Sequence, residues 1–351
     1  MQQVTRRSFL VSVPVLAAAL PTVIRAMAQS GKRSIPLLGI NHVTLTVRDP
    51  RRSIEFYQGL FGMPIQSRQG SSVFLRIGSG PQFLGISGTP APPRVTHFCV
   101  TAAEFDADRI LEVLTEHGVE RIESSSSGSA ADIGPLKSWV RHRRKDLGGS
   151  PEGTAELHFT DPEGIVAQIQ AADYCGGAGP LGGSCLGTPE PAPTKGLLAL
   201  QDYNHITLGV LNQQRERAFY RALFGLPTNA SQGGSESLKI GSGGHFLAVG
   251  TTTANGGTPG SPNIAHVCFT TENFDLDRVR GALTEYGLTP GERAAGAAQP
   301  LTHYVSLRMP DRGGAPGGTP ELYFTDPDGL VMQIQDTSYC GGGGYLGNVC
   351  P

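Results

Sequence analysis

The alternation of apolar and polar positions runs through the chain twice, in the same order. Each half opens on a period-two segment, His42–Val47 and His205–Val210, which places His42, Thr44 and Thr46 on one face of a strand. A helical stretch follows, with Asp49 as N-cap, Pro50 at the first helical position, and Ile54, Tyr57 and Phe61 at helical spacing. The second copy reads Ala218-Phe219-Tyr220-Arg221-Ala222-Leu223-Phe224 at the same place. Gly62 and Gly225 stand where a helix stops on a left-handed residue. Three short strands are expected around Ile65–Arg68, Ser72–Ile77 and Gln82–Ile86. A second strand–helix pair comes next, Val95–Val100 and Phe105–His117, with Ile110, Leu111 and Leu114 on the apolar side; Ile264–Phe269 and Phe274–Tyr286 repeat it. Each half closes on a strand pair, Glu156–Thr160 and Ile165–Gln170 in the first. The expected fold class is therefore α+β, with four βαβββ units, two to a half.

The repeat is also textual. Asn41-His42-Val43-Thr44-Leu45 answers Asn204-His205-Ile206-Thr207-Leu208, and Thr96-His97-Phe98-Cys99 answers Ala265-His266-Val267-Cys268. Glu156-Leu157-His158-Phe159-Thr160-Asp161-Pro162-Glu163-Gly164 answers Glu321-Leu322-Tyr323-Phe324-Thr325-Asp326-Pro327-Asp328-Gly329, and Gln168 recurs as Gln333. Two histidines and an amide oxygen at nearly constant spacing have the character of a metal site duplicated together with its fold. The domains are expected at 36–186 and 203–351, joined by a proline-bearing linker over 187–202. Roughly 123–153 and 288–318 form a glycine- and serine-rich insert, expected to act as a flap over a pocket mouth. Within it, Arg141–Lys145 reads as a solvated loop segment, with a carboxylate-binding patch as the alternative.

Charge excludes one class. A formal net charge of −2 without a basic block argues against nucleic-acid binding. Residues 1–28 read as an address: Thr5-Arg6-Arg7-Ser8-Phe9-Leu10 is a twin-arginine motif, followed by an apolar stretch and Ala26-Met27-Ala28 as a cleavage site. Removing that segment takes away three arginines and moves the net charge from −2 to −5. The expectation is export to the periplasm or beyond, with no membrane association after cleavage. There Cys175 with Cys185 and Cys340 with Cys350 would close disulfide loops, while Cys99 and Cys268 read as small buried packing residues.

Paired βαβββ units, a histidine on the first strand of each, and Phe-Thr-Asp-Pro before the last strand (Phe159–Pro162 and Phe324–Pro327) resemble the vicinal oxygen chelate superfamily. That family includes glyoxalase I, bleomycin-resistance proteins, methylmalonyl-CoA epimerase and extradiol ring-cleaving dioxygenases. The resemblance covers essentially the whole chain after residue 36. It implies two domains, each with a cupped mixed sheet around a central pocket holding a divalent metal. In the dioxygenase branch the ligands would be His42 and His97 in one half and His205 and His266 in the other. The branch's glutamate position holds Gln168 and Gln333, which keeps an oxygen donor and loses its charge. Fe(II) is favoured, with Mn(II) or Zn(II) as alternatives. Tyr323 occupies the place of the branch's substrate-binding tyrosine and His158 the matching place in the first half. His303 on the insert is a second catalytic candidate, set against an exposed loop histidine; His245 is read as facing either metal or solvent. The implied function is an exported metalloenzyme acting on a small aromatic or keto molecule through two adjacent oxygens, foremost an extradiol-type dioxygenase. The alternatives are a metal-free small-ligand-binding protein and a glyoxalase- or epimerase-like lyase or isomerase. Four units in one chain leave a monomer or a homodimer open.

Overall fold

The computed structural model describes residues 32–123, 133–177, 188–232, 235–252, 261–292 and 299–342. The expected leader, Cys185, Cys350 and part of each insert lie outside them. Among the described residues, no helix is long and apolar enough to cross a membrane.

The first half carries strands β1 (Leu37–Val47), β2 (Ile65–Gln69), β3 (Ser72–Arg76), β4 (Phe83–Gly88), β5 (Arg94–Ala102), β6 (Glu120–Arg121), β7 (Lys137–Arg143), β8 (Thr154–Thr160) and β9 (Val166–Gln170). Its helices are α1 (Pro50–Phe61) and α2 (Ala107–Glu116). The nine strands form one sheet in the order β2-β3-β4-β1-β5-β9-β8-β7-β6. The central strands β1 and β5 are antiparallel, and each has a parallel neighbour on its outer side, β4 and β9. This is the arrangement of two βαβββ units related by a local twofold through the sheet centre. The second half repeats it with β10 (Leu200–Val210), β11 (Thr228–Gln232), β12 (Ser235–Lys239), β13 (Phe246–Thr251), β14 (Asn263–Thr271), β15 (Thr289–Pro290), β16 (Thr302–Arg308), β17 (Thr319–Thr325) and β18 (Val331–Asp336). Its helices are α3 (Gln213–Phe224) and α4 (Leu276–Glu285), and its sheet order is β11-β12-β13-β10-β14-β18-β17-β16-β15.

Helix ends follow the local chemistry. The Asp49 side chain accepts from the Arg51 and Arg52 amides, Pro50 needs no partner at the first position, and Gly62 ends α1 at φ 65°. Asp106, Asn212 and Asp275 cap the other three helices in the same way. The helices cover the sheet face that carries Val43, Leu45, Phe98, Leu157 and Phe159, and the apolar residues of both halves join in one cluster. The opposite face of each sheet carries histidine, glutamine and threonine side chains among aromatic ones, Phe74, Phe83 and Tyr174 forming a separate small cluster in the first half.

Two sequence expectations change here. The insert is not all flap: Lys137–Arg143 and Thr302–Arg308 are sheet strands, paired antiparallel with β8 and β17. Trp139, Arg141 and Arg143 share one parity, so the run read as a solvated loop contributes side chains to the polar face. The linker is also laced to the first half, Glu190 exchanging backbone hydrogen bonds with Ile65 and the Leu197 and Leu198 amides donating to Leu60.

The halves grip one another reciprocally. Tyr220 of α3 donates to Asp161 at 2.9 Å, and Tyr57 of α1 lies 3.4 Å from Asp326. Glu163 accepts from the Leu211 and Asn212 amides and from Arg215, while Asp328 takes Arg48 and Arg52. Tyr203 reaches from β10 into the first sheet, donating to the Phe83 carbonyl at 2.6 Å and accepting from the Val43 amide at 3.1 Å.

Candidate metal centres

Strand register sets the site. Across the first sheet, Phe83, His42, Cys99, Gln168, His158 and Trp139 are successive cross-strand partners, so all six share the polar face. His97 faces Thr44 two positions along the same face. The second sheet sets Phe246, His205, Cys268, Gln333, Tyr323 and Tyr304 in the same row, with His266 facing Thr207.

His42 Nε2 lies 3.3 Å from His97 Nε2 and 3.1 Å from Gln168 Oε1. In the second half His205 Nε2 and His266 Nε2 are 3.1 Å apart, and Thr207 Oγ1 stands 3.1 Å from His266 Nε2. His42, His205 and His266 are buried, while His97 is only half-buried. The structure thus brings together His42, His97 and Gln168, and sets His205, His266 and Gln333 at the equivalent positions of the second sheet.

The tautomers are set from behind. Asn41 Nδ2 donates to the Tyr174 carbonyl, which turns its Oδ1 toward His42 Nδ1 at 2.7 Å. Nδ1 must then carry the hydrogen, and the Nε2 lone pair faces the pocket. Asn204 does the same for His205, anchored on the Tyr339 carbonyl. Phe83 and Phe246 stack on these imidazoles at 4.3 and 4.4 Å and hold their planes. Burial pushes His42 and His205 well below the ordinary histidine range, and a neighbouring histidine adds to the effect in each. Burial and His158 bring His97 down to about 3. In each half an imidazole with its lone pair turned inward stands beside a second imidazole and in register with a glutamine amide, a donor set that suits a cation. Gln333 has neither amide atom hydrogen-bonded, and Gln168 Nε2 is likewise orphaned in the interior. Among the described residues, no three His, Cys, Asp or Glu side chains converge on one point. Gln168 Oε1 is the further donor beside His42, and Gln333 stands in the matching register position, so a divalent ion held here would have no anionic ligand.

A buried ion pair lies beside each centre, and it went unread in the sequence. Arg143 pairs with Glu156 and Tyr174, and Arg308 with Glu321 and Tyr339, all within the interior. Burial acts to raise the Glu156 carboxyl, but Arg143 and Arg141 outweigh it and hold it at about 2. The recurrence of Arg143 with Glu156 as Arg308 with Glu321 was the available signal.

Past this point the halves differ. His158 stacks on Trp139 at 5.4 Å and meets His97 edge-on at 5.6 Å; its Nδ1 is 3.2 Å from the Glu156 carbonyl, leaving Nε2 to the pocket. Tyr323 stacks on Tyr304 at 5.1 Å, meets His266 edge-on at 5.4 Å and donates to Glu321 Oε2 at 3.3 Å. Burial, then Glu321, pushes its phenol well above the ordinary range, so it stays a donor.

His303 does not join the site. It is a buried strand residue of β16, paired with Phe324 and bonded through Nε2 to Thr284 of α4 at 3.0 Å, on the helix side of the sheet. This corrects both its catalytic candidacy and the exposed-loop alternative; the parity of β16 gives the reason, since Tyr304 takes the pocket face. His245 faces neither metal nor solvent as expected. Its Nδ1 accepts from the Ile40 amide of the first half at 3.1 Å, and its Nε2 meets Asp202 at 3.1 Å. Cys99 and Cys268 are buried and free, as expected.

Residues 39–130 match the family model of the Glyoxalase/Bleomycin resistance protein/Dioxygenase superfamily. No curated protein matches the chain in sequence. Among solved structures, the chain is similar to a catechol 2,3-dioxygenase, with a TM-score of 0.56, 15% identity, and 90% of this chain and 94% of that one covered. It is similar to a 2,3-dioxygenase from Pseudomonas sp. KL28, with a TM-score of 0.56, 14% identity and coverages of 91% and 95%. A Mn(II)-bound glyoxalase from Novosphingobium aromaticivorans gives a TM-score of 0.53, 16% identity and coverages of 87% and 86%. At these identities the likeness concerns the fold: two domains of paired βαβββ units.

Proposed function

We propose that this chain, which carries the fold of the glyoxalase, bleomycin resistance protein and dioxygenase superfamily, is a metal-dependent enzyme acting on a small aromatic or keto molecule with two adjacent oxygens. The observation that carries the reading is the convergence, in both halves, of two imidazole Nε2 atoms, one of which has its lone pair turned inward by a buried asparagine. His42, His97 and Gln168 would hold one ion, and His205, His266 and Gln333 the other. Such an ion supplies Lewis acidity toward chelated oxygens, and Fe(II) is preferred because extradiol-type ring opening is the leading reaction.

The protein's own residues do the rest. Asn41 and Asn204 keep Nε2 free of its proton, and the stacked phenylalanines hold each ring in plane. Tyr323 is kept protonated and its single hydrogen rests on Glu321 Oε2 at 3.3 Å; turned from that long contact, it would donate to a substrate oxygen that gains negative charge. The aromatic pair Tyr304/Tyr323 walls the second pocket and Trp139/His158 the first, excluding water from a flat substrate. On these grounds the second half is the better candidate for ring cleavage.

One observation favours a second reading, a metal-free binder. Turning the Gln168 amide would point an NH₂ donor at His42 Nε2 and satisfy that atom without an ion. Elemental analysis of protein purified without chelators separates the two. Two equivalents of iron or manganese per chain support the enzyme; no metal, in the wild type and in Gln168→Glu/Gln333→Glu alike, sinks it. We also read residues 1–28 as a twin-arginine leader and Cys175–Cys185 and Cys340–Cys350 as disulfides formed after export. Cell fractionation and free-thiol titration test these, with two free thiols expected in the denatured mature chain.

A further inference from the structure

We infer that the two pockets of this chain take substrates of different charge, the first a carboxylate-bearing compound held by Arg141 and the second an uncharged one. The inference rests on the reading above, that both pockets receive a small aromatic or keto molecule. Its grounds lie in where the two halves stop repeating.

On the polar face of the first sheet, Arg141 and Arg143 both converge on Glu156. Arg143 is buried against that carboxylate and Tyr174. Arg141 places Nε at 2.9 Å and Nη2 at 2.7 Å from Glu156 Oε2, while half of its side chain stays exposed. A guanidinium has five donor hydrogens, so Nη1 and one Nη2 hydrogen remain for a further acceptor. Two cations on one anion leave this cluster one positive charge in excess. A carboxylate on the substrate completes the charge balance and matches the planar fork.

The second pocket lacks this device. Register puts Ser306 opposite Glu321, where Arg141 stands opposite Glu156. Arg308 and Glu321 then cancel, and Tyr304, Tyr323 and Ser306 present only hydroxyls and ring faces. With an ion's positions taken by the two chelated oxygens, no side-chain cation is left there to meet a further carboxylate, which disfavours it. One strand residue, Arg141 against Ser306, therefore sets the difference.

Trp139 makes the test direct, because it is the only tryptophan of the chain and it stacks on His158 in the first pocket. Its fluorescence is titrated in the purified full-length protein with 3,4-dihydroxybenzoate and with 4-methylcatechol, which differ by a carboxylate against a methyl group. The carboxylate probe is expected to half-saturate the Trp139 signal at a roughly tenfold lower concentration. Arg141→Ser should bring that ratio to about one. Ser306→Arg should leave the ratio at Trp139 alone and add a second calorimetric equivalent of 3,4-dihydroxybenzoate. Equal half-saturation in the wild type, a ratio that survives Arg141→Ser, or no Trp139 response to either probe would overturn the inference. Stripping metal with a chelator tests the underlying reading on another axis. If both affinities ignore the metal while the ratio persists, the metalloenzyme reading fails and the charge discrimination stands.

Discussion

At the residue scale, each centre depends on side chains that never face the pocket. Asn41 and Asn204 each spend both amide groups, one on a tyrosine carbonyl and one on the histidine ring. Asn204→Ala should therefore lower metal affinity in the second half by roughly 10–100-fold, read by competition with a chromophoric chelator, with the fold retained. The buried pairs obey different physics. Glu156→Gln leaves Arg143 charged in the interior and should cost about 3–5 kcal/mol in denaturant unfolding. Arg308→Met with Glu321→Leu together should cost much less than either alone, because no uncompensated charge remains. The histidines and glutamines of the centres were legible from their repeated text. The Arg–Glu pairs were not, because a glycine-rich surrounding hid the period-two pattern of Lys137–Arg143.

At the scale of elements, the repeated helix α1/α3 shows how the same local signal meets two environments. Gly62 and Gly225 both end their helices in the left-handed region, at φ 65° and 66°. A Cβ on Gly62 would fall 2.0 Å from the Lys195 carbonyl of the linker, whereas one on Gly225 would meet only Ser34 Oγ at 3.4 Å. Gly62→Ala should thus lose about 2 kcal/mol or more and Gly225→Ala about 1 kcal/mol, compared by thermal unfolding of both variants. Capping, helical spacing and the glycine stops were readable from single residues and their neighbours. Strand β7 and strand β16 were not, since a strand in a polar, glycine-flanked context is recognised only by its partner. The same gap misplaced His303: without a known strand, its parity could not be assigned.

At the scale of the molecule, the halves meet through carboxyl groups that do not share solvent. Asp161 accepts from Tyr220 across the interface, Glu163 takes Arg215, and Glu216 of α3 is buried with neither carboxyl oxygen hydrogen-bonded, Arg215 lying 3.6 Å from its Oε1. Burial pushes Asp161 and Asp326 up to about 6, and burial followed by Asp161 pushes Glu216 up to about 9. Each is an acid whose folded pKa exceeds its unfolded one. The folded state holds protons the unfolded state has released, so stability declines as pH rises from about 4 toward 9. Glu216→Gln should raise the Tm at pH 8 more than at pH 5 and flatten the profile, as scanning calorimetry across that range would show. In the first half Ser53 stands at this position, so the effect belongs to one side of the interface.

Sequence by itself determined the duplicated βαβββ order, the helix boundaries near their caps, the fold class and the repeated text that carries four histidines and two glutamines. These follow from short-range rules: hydrophobic period, capping chemistry, and text repeated within one chain. Tertiary structure decided which of those residues meet, which tautomer His42 and His205 hold, and that Arg141 and Ser306 distinguish otherwise matching pockets. It also decided that Tyr57 and Tyr220 each bond the opposite half. Such contacts join residues 15 to more than 200 positions apart, and only strand register and the packing of one half on the other bring them within bonding distance.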